Sequence, residues 1–266
     1  MSDAAIDNEL RAFFAGQLGD GGASGVAGAA SAATLPASLS EALLGAQPTL
    51  PLLGLVRKLG PHLTGDDAVQ RARAVLLLAA VVDKAAVSAQ AAAVLNAQAV
   101  RTLTTFFTDK VEDAANILTS APAGEGAAKE EQLSPTTMLQ AVLGALFTLI
   151  TLPSFPASSL GVALADALTT HVPPVKHLLP QAQRFAFFRL FDALLARYRA
   201  TLFKSKGKAD AEHNILAGYT KFAEGEKDPR NLVYAFAIDW VILTEFELEP
   251  KVTEVSTRPL LRCRKE

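Results

Sequence analysis

Apolar residues recur three and four positions apart along most of this chain, and no alternating run of useful strand length interrupts them. The spacing predicts a short helix over Asn8–Leu18, with Leu10, Phe13, Phe14 and Leu18 on its apolar side. From Leu39 the helical pattern is continuous. Leu50–Leu63 carries Leu52, Leu53, Val56 and Leu59, and Gly60-Pro61 and Gly65 predict its end. Asp66 or Asp67 is suited to cap the next helix, with Val69, Ala72, Leu76 and Ala79-Ala80 on one side. Asn96–Phe107 repeats the pattern through Val100, Leu103, Phe106 and Phe107. Ser134-Pro135 opens an apolar helix that Pro153 stops. Ser158–Thr170 is a further short helix, broken by Pro173-Pro174.

Pro180–Tyr198 carries the widest apolar face. Phe185, Phe188, Phe191, Leu195 and Tyr198 form one stripe, with Phe187, Leu190 and Leu194 beside it. A face that broad packs between two neighbours, and an aromatic stripe at helical spacing reads as core. Ala209–Phe222 and Pro229–Phe246 make a final helix pair, the second with Leu232, Val233, Phe236, Trp240 and Leu243 as its apolar run. Paired helices split by short Pro, Gly and Asp corners predict an all-α solenoid. Gly19–Ser38, almost wholly Gly, Ala and Ser, reads as a linker. Its Gly19–Gly25 run is only a faint phosphate-loop likeness, with no strand before it and no Gly-Lys-Ser/Thr after it. Ser120–Gln132 and Lys204–Lys208 read as loops.

Between the last two helices lies Gly225-Glu226-Lys227-Asp228-Pro229-Arg230-Asn231-Leu232, a corner carrying two acids and two bases within five residues. Asp228 is placed to cap, and Pro229 fits the first helical position, where a missing N–H is harmless. Glu226, Lys227, Asp228, Arg230 and Asn231 are the candidate protein-contact or turn residues. The plainer reading of the same residues is a capped turn whose charges face water.

Composition narrows the function classes. The chain has 266 residues, half of them hydrophobic, and a net charge of −2, which supplies no nucleic-acid-sized positive field. Cys263 is the single cysteine, so the chain alone cannot build a disulfide, a Cys-based zinc site or an iron–sulfur cluster. Its neighbours Arg262 and Arg264 would favour a thiolate, but no fixed base accompanies it. His62, His171, His177 and His213 share no metal-ligand spacing, and neither His-Glu-x-x-His nor Gly-x-Ser-x-Gly occurs. Glu130-Glu131 lies in a loop unsuited to holding two carboxylates at a working distance. The acidic N-terminus resembles no secretory or mitochondrial leader, and Met138–Leu152 is too short to span a bilayer. No catalytic residue, metal ligand or cofactor is predicted, and neither direct nucleic-acid nor membrane binding.

Glu224–Ala235, with the corner at its centre, resembles the N-terminal region of the methyl-methanesulfonate-sensitivity-nineteen family. These are HEAT-repeat adaptors of cytosolic iron–sulfur protein assembly, also described as DNA repair and transcription factors. Leu179-Pro180-Gln181 with Arg184 and the aromatic helix is similar to the same family, as are Arg71-Ala72-Arg73-Ala74 and Leu103-x-x-Phe106-Phe107. The resemblance covers Leu39 to Phe246 and departs after Glu249. Family members are several times longer, so this chain is expected to be an N-terminal fragment, as a truncated gene product would be. The resemblance implies an all-α, right-handed HEAT-type solenoid without catalysis, cytoplasmic and nuclear. Its implied partners are subunits of the cytosolic iron–sulfur targeting complex and client proteins such as DNA helicases and polymerases.

The expected organisation is an N-terminal helix and linker over 1–38, a HEAT-repeat domain over 39–249 and a divergent, disordered tail over 250–266. Two alternatives stay open. One is a generic helical-repeat module with unrelated partners in transport or phosphatase scaffolding. The other is a small hydrolase, which would need a pocket of convergent acids or histidines.

Overall fold

The computed structural model describes residues 3–15, 35–45, 48–120, 135–156, 159–202 and 209–245. Among them are eleven α-helices, one short 3-10 turn and no strand, as the helical periodicity requires. The helices are α1 (Asp3–Phe14), α2 (Ala37–Leu44), α3 (Leu52–Thr64), α4 (Ala68–Ala86), the single turn α5 (Ala91–Val94) and α6 (Ala97–Ser120). After them come α7 (Pro135–Thr151), α8 (Ser159–Val175), the 3-10 turn Lys176–Leu178, α9 (Gln181–Leu202), α10 (Ala209–Ala223) and α11 (Pro229–Glu245). Residues 16–34, 121–134, 203–208 and 246–266, on which the linker, loop and tail expectations fall together with Leu18, Glu130-Glu131, Ser134 and Cys263, lie outside the described residues.

Two rows of helices pack side by side. One row runs α4, α7, α9, α11 and the other α6, α8, α10, with α6 against α7 and α8 against α9 between the rows. The molecule is thus an all-α helical-repeat solenoid. One apolar core runs through it, from Ile6 of α1 to Ile242 of α11. Helix α1 belongs to that core. Its Phe14 ring stacks on His62 at 3.7 Å, Lys58 binds Asp7 at 2.7 Å and Arg73 donates to the Phe14 carbonyl at 3.1 Å.

The aromatic helix α9 sits where the rows meet. Phe187, Phe188 and Phe191 are fully buried. Phe187 lies 3.8 Å from the Phe222 ring and Phe191 stacks 5.0 Å from Tyr219, both on α10. Burying one phenylalanine side chain is worth about 1.5–3 kcal/mol, so these rings are the main tie between α9 and α10. Phe185, assigned to the same stripe, is only half-buried; its ring meets Tyr234 of α11 edge-on at 5.4 Å.

Several expected boundaries are corrected. Helix α1 begins at Asp3 and ends at Phe14, because Ile6, Leu10 and Phe14, four apart, are the residues it buries. Gly60-Pro61 lies inside α3, which reaches Thr64, so of the two expected end marks it is Gly65 that stops the helix. Pro61 faces solvent, where water can serve the Arg57 carbonyl left without its amide, while Leu55, Leu59 and Leu63 hold the other side. Asp67 does cap α4, accepting from the amides of Val69 and Gln70 at 2.9 and 3.1 Å. The buried residues of α4 are Ala74–Ala79, Val81, Val82 and Ala85, whereas Val69 is exposed; the helix is covered by both α3 and α7. Asn96 starts α6 as expected, its side chain accepting from the Ala99 amide at 3.0 Å, but the helix continues to Ser120.

Pro173 and Pro174 likewise lie inside α8 rather than beyond it. Pro173 has no N–H for the carbonyl of Thr169, four residues earlier, and Thr169 is buried. Helix α10 comes up against that freed oxygen through Gly218, where an added Cβ would collide with it. Glycine at 218 therefore permits the α8–α10 contact. Gly218→Ala is expected to lower stability by about 1–3 kcal/mol in chemical denaturation, through forced separation of the two helices.

Candidate functional site

The charged corner is built by the ends of two helices. Gly225 has φ +72°, the left-handed conformation that ends α10, and the Glu226 amide returns to the Ala223 carbonyl at 3.1 Å. Pro229 then opens α11. Asp228 accepts from the Arg230 amide at 2.9 Å and pairs with the Arg230 guanidinium at 3.1–3.2 Å. The Arg230 guanidinium, helped by that backbone bond, holds the Asp228 carboxyl below its ordinary range.

Glu226 turns inward. Its side chain is 2% exposed and binds Arg184 of α9 at 2.9 Å. It also accepts from the amides of Lys227 and Asp228, each at 3.0 Å. Burial works to raise the Glu226 pKa, but the Arg184 hydrogen bond and the two amides outweigh it and hold the group below its ordinary value. Arg184 also donates to the Leu179 carbonyl at 2.8 Å, so one guanidinium ties the corner to the segment before α9. Lys176 adds a second tie, donating to the Glu224 carbonyl at 2.7 Å with its ammonium over the Phe222 ring; desolvation lowers its pKa. Asn231 is fully buried and takes a long 3.4 Å bond from Gln181.

Of the five candidate residues, then, Glu226 and Asn231 face the interior, Asp228 is engaged in the cap, and Lys227 and Arg230 face solvent. The sequence pattern did not reveal Glu226's internal role, because its partner lies 42 residues away. Arg184 was visible in the resemblance, though not as a partner of the corner.

A buried polar pair also escaped the pattern. Tyr219 of α10 lies 3.0 Å from an Asp239 carboxylate oxygen of α11 and 3.0 Å from the Ala235 carbonyl. Burial raises the Asp239 pKa to about 6, with the Tyr219 hydroxyl partly opposing the shift. Burial, then the facing Asp239 charge, pushes the Tyr219 pKa well up. The available signal was an acid in the middle of an otherwise apolar helix.

The histidines do local work. His62 stacks on Phe14 and meets Gln70 at 2.8 Å, and His171 lies 3.8 Å from Glu112; the side chain of His213 is outside the described residues. A shallow groove of about 450 Å³ runs between the end of α3, α4, α6 and α7. Two cations on its rim are already engaged, Lys110 with Asp113 and Arg71 with the Gly65 carbonyl. Among the described residues no group of three or more His, Cys, Asp or Glu could hold a metal ion, and no helix is long and apolar enough to cross a membrane.

Two rows of paired helices, with the α10–α11 corner held to the start of α9 by Glu226 and Arg184, define a helical-repeat protein. The particular family follows from comparison. The model of the N-terminal region of the methyl-methanesulfonate-sensitivity-nineteen proteins, described as "Dos2-interacting transcription regulator of RNA-Pol-II", matches residues 56–256, and the chain belongs to this family. That description is of a regulator rather than a catalyst. The match starts later than Leu39 and runs past Glu249, where the likeness was expected to stop. The DNA repair/transcription protein mms19 of Schizosaccharomyces pombe is 26% identical over 198 residues, which is 74% of this chain and 16% of that protein. The chain thus spans a small part of the length of that relative. No solved structure matches.

Two outcomes follow from the geometry. Arg184→Ala strands a buried carboxylate and is expected to lower stability by about 3 kcal/mol, with part recovered when Glu226→Gln is added. Glu226 has a lowered folded pKa, so its contribution is present above the ordinary glutamate value of 4.5 and is lost as pH falls. The deficit of the single variant should therefore narrow on acidification. Asp239 has the opposite sign. Between its ordinary 3.8 and about 6 the folded state holds the extra proton, so stability falls as pH rises through that window. Asp239→Asn should raise the melting temperature near neutral pH, by on the order of 2 kcal/mol of stability, and lose this advantage near pH 4.

Proposed function

We propose that this chain is a non-enzymatic scaffold that serves DNA repair and transcription by delivering iron–sulfur clusters to apo-proteins. In this reading it works with the cytosolic iron–sulfur targeting subunits and with clients such as DNA helicases and polymerases, in cytoplasm and nucleus. The observation that carries the reading is the family match over residues 56–256, laid on two rows of stacked helices. The fission-yeast relative, a DNA repair/transcription protein by name, supports the process. With one cysteine in the chain, any cluster would be held by the partners.

The repeat domain of this reading spans 39–249, with 1–38 before it and a tail from 250. Its contact surface at the corner is Lys227 with Arg230, because Glu226, Asp228 and Asn231 are occupied within the fold.

Affinity capture with mass spectrometry tests the proposal, using the tagged chain beside a tagged full-length relative. Both baits are expected to recover targeting subunits and iron–sulfur clients, and Lys227→Glu should reduce that recovery with the melting temperature unchanged. If the relative recovers them and this chain recovers neither, the proposal fails. Recovery of an unrelated transport or phosphatase assembly would instead mark a generic interaction module.

A further inference from the structure

Helix α1 sits on the fold as a bound helix sits on a receptor. It buries one narrow stripe, Ile6, Leu10 and Phe14, each four residues from the next. Polar anchors from three other helices hold it along its length. Ser38 of α2 donates to Glu9, and Lys58 of α3 pairs with Asp7 at 2.7 Å. His62 of α3 stacks face to face on the Phe14 ring at 3.7 Å. Arg73 of α4 donates to the Phe14 carbonyl at 3.1 Å, serving one of the carbonyls that a helix end leaves without an amide. The seat thus reads a helix by its apolar spacing, its acids and its C-terminal end.

Several features make α1 an exchangeable occupant. A helix of twelve residues is marginal in water, so its seat holds it rather than its own propensity. Three buried apolar side chains, set against the ordering of twelve residues, leave a small surplus. The fit is also incomplete. Glu9 Oε2 is buried with no hydrogen-bond donor among the described residues, and an unmet carboxylate oxygen weakens the docking. Residues 19–34, between α1 and α2, are all Gly, Ala or Ser apart from Asp20, Val26 and Thr34. A tether of that length and composition keeps a departed helix near its seat, at an effective concentration on the order of 1 mM. The family match begins at residue 56, so Lys58, His62 and Arg73 lie inside it and α1 outside.

We propose that this seat is a docking site for an amphipathic helix of a partner protein, and that α1 covers it until such a helix replaces it. The chemistry of the seat specifies the partner. Its helix carries apolar residues four apart and ends on an aromatic ring that meets His62. It places an acid against Lys58 and has a neutral residue where α1 has Glu9. Loss of that buried charge is its advantage over α1, and it must overcome the advantage that the tether gives α1. The α1 of a second copy of the chain has the same Glu9 and no tether to this seat, so exchange between copies is disfavoured.

The probe is a fluorescent peptide of residues 1–15 carrying Glu9→Gln. It is titrated into the full chain and into an Ile6→Asp, Leu10→Asp chain whose own α1 cannot seat. Anisotropy should show micromolar binding to the double variant, and binding weaker by about tenfold or more to the unsubstituted chain. Lys58→Glu in the double variant should cost about tenfold, and Asp7→Lys in the peptide should restore part of the loss. In the unsubstituted chain the amides of Leu10 to Phe14 should exchange with deuterium about tenfold faster than those of Val75 to Val82 of α4, through local opening. A double variant that keeps its helical content yet binds no peptide up to about 1 mM overturns the proposal. Should that variant lose its fold, the exchange measurement decides. Amides of α1 that open only with the whole molecule make α1 a fixed part of the core and overturn the proposal. Equal binding to both chains places the peptide elsewhere and overturns it. So does a dimer that dissociates on Ile6→Asp, Leu10→Asp, which makes a second copy the occupant.

Discussion

The burial of the phenylalanines of α9 is the interaction on which the rest of this molecule depends. An α-helix can hide one stripe against one neighbour, but a helix with large rings round half its circumference needs several. Helix α9 meets that need with α7, α8 and α11, while Phe187 and Phe191 reach the rings of α10. Two rows of helices are the arrangement that provides so many neighbours at once. The exceptions to ideal helix grammar serve the same end. Two prolines persist inside α8, and Gly218 lets α10 close over the carbonyl that Pro173 leaves free.

The charged corner is subordinate to that packing. Its acids and bases suggest a surface for partners when taken as a list. In place, Arg184 and Glu226 form a partly buried ion pair that fixes the α10–α11 turn against the start of α9. Such a pair adds little net stability over apolar packing, yet it is costly to break and so specifies one arrangement of the corner. What remains for recognition is Lys227 beside the Arg230–Asp228 pair, and next to them the exposed Val233, Phe236 and Trp240 of α11. The chain thus presents two different surfaces at one edge of the array, one set by charge and one by apolar area.

Three buried polar side chains lie near the same edge. Tyr219, Asp239 and Asn231 all lie where α10 and α11 meet the rest of the fold. An acid held at a raised pKa inside an apolar interface makes that helix contact less favourable as the acid ionises. The attachment of α11 therefore combines the apolar contacts of Ala235, Ile238 and Ile242 with the polar ones of Asn231 and Asp239.

Much of the architecture was legible in the residues. The three- and four-residue spacing, the scarcity of alternating runs, the capping roles of Asp67 and Asp228 and the breadth of the α9 stripe are local properties. A local property is decided by the conformational preference of a short segment. The charged corner and the aromatic helix also carried the family likeness. Which side of a helix becomes interior is not local. It depends on how many neighbours the helix acquires and from which directions. Val69 and Trp240 therefore lie outside, despite sitting in apolar stripes, while Asn231 and Asp239 lie inside. The partner of Glu226 was hidden for the same reason, since only packing brings residues 42 apart in the chain to 2.9 Å. Sequence alone determined that this chain is a succession of helices and that Asp67 and Asp228 cap two of them; the tertiary structure decided how far several helices run and which faces meet, because burial is shared between elements and no single element carries it.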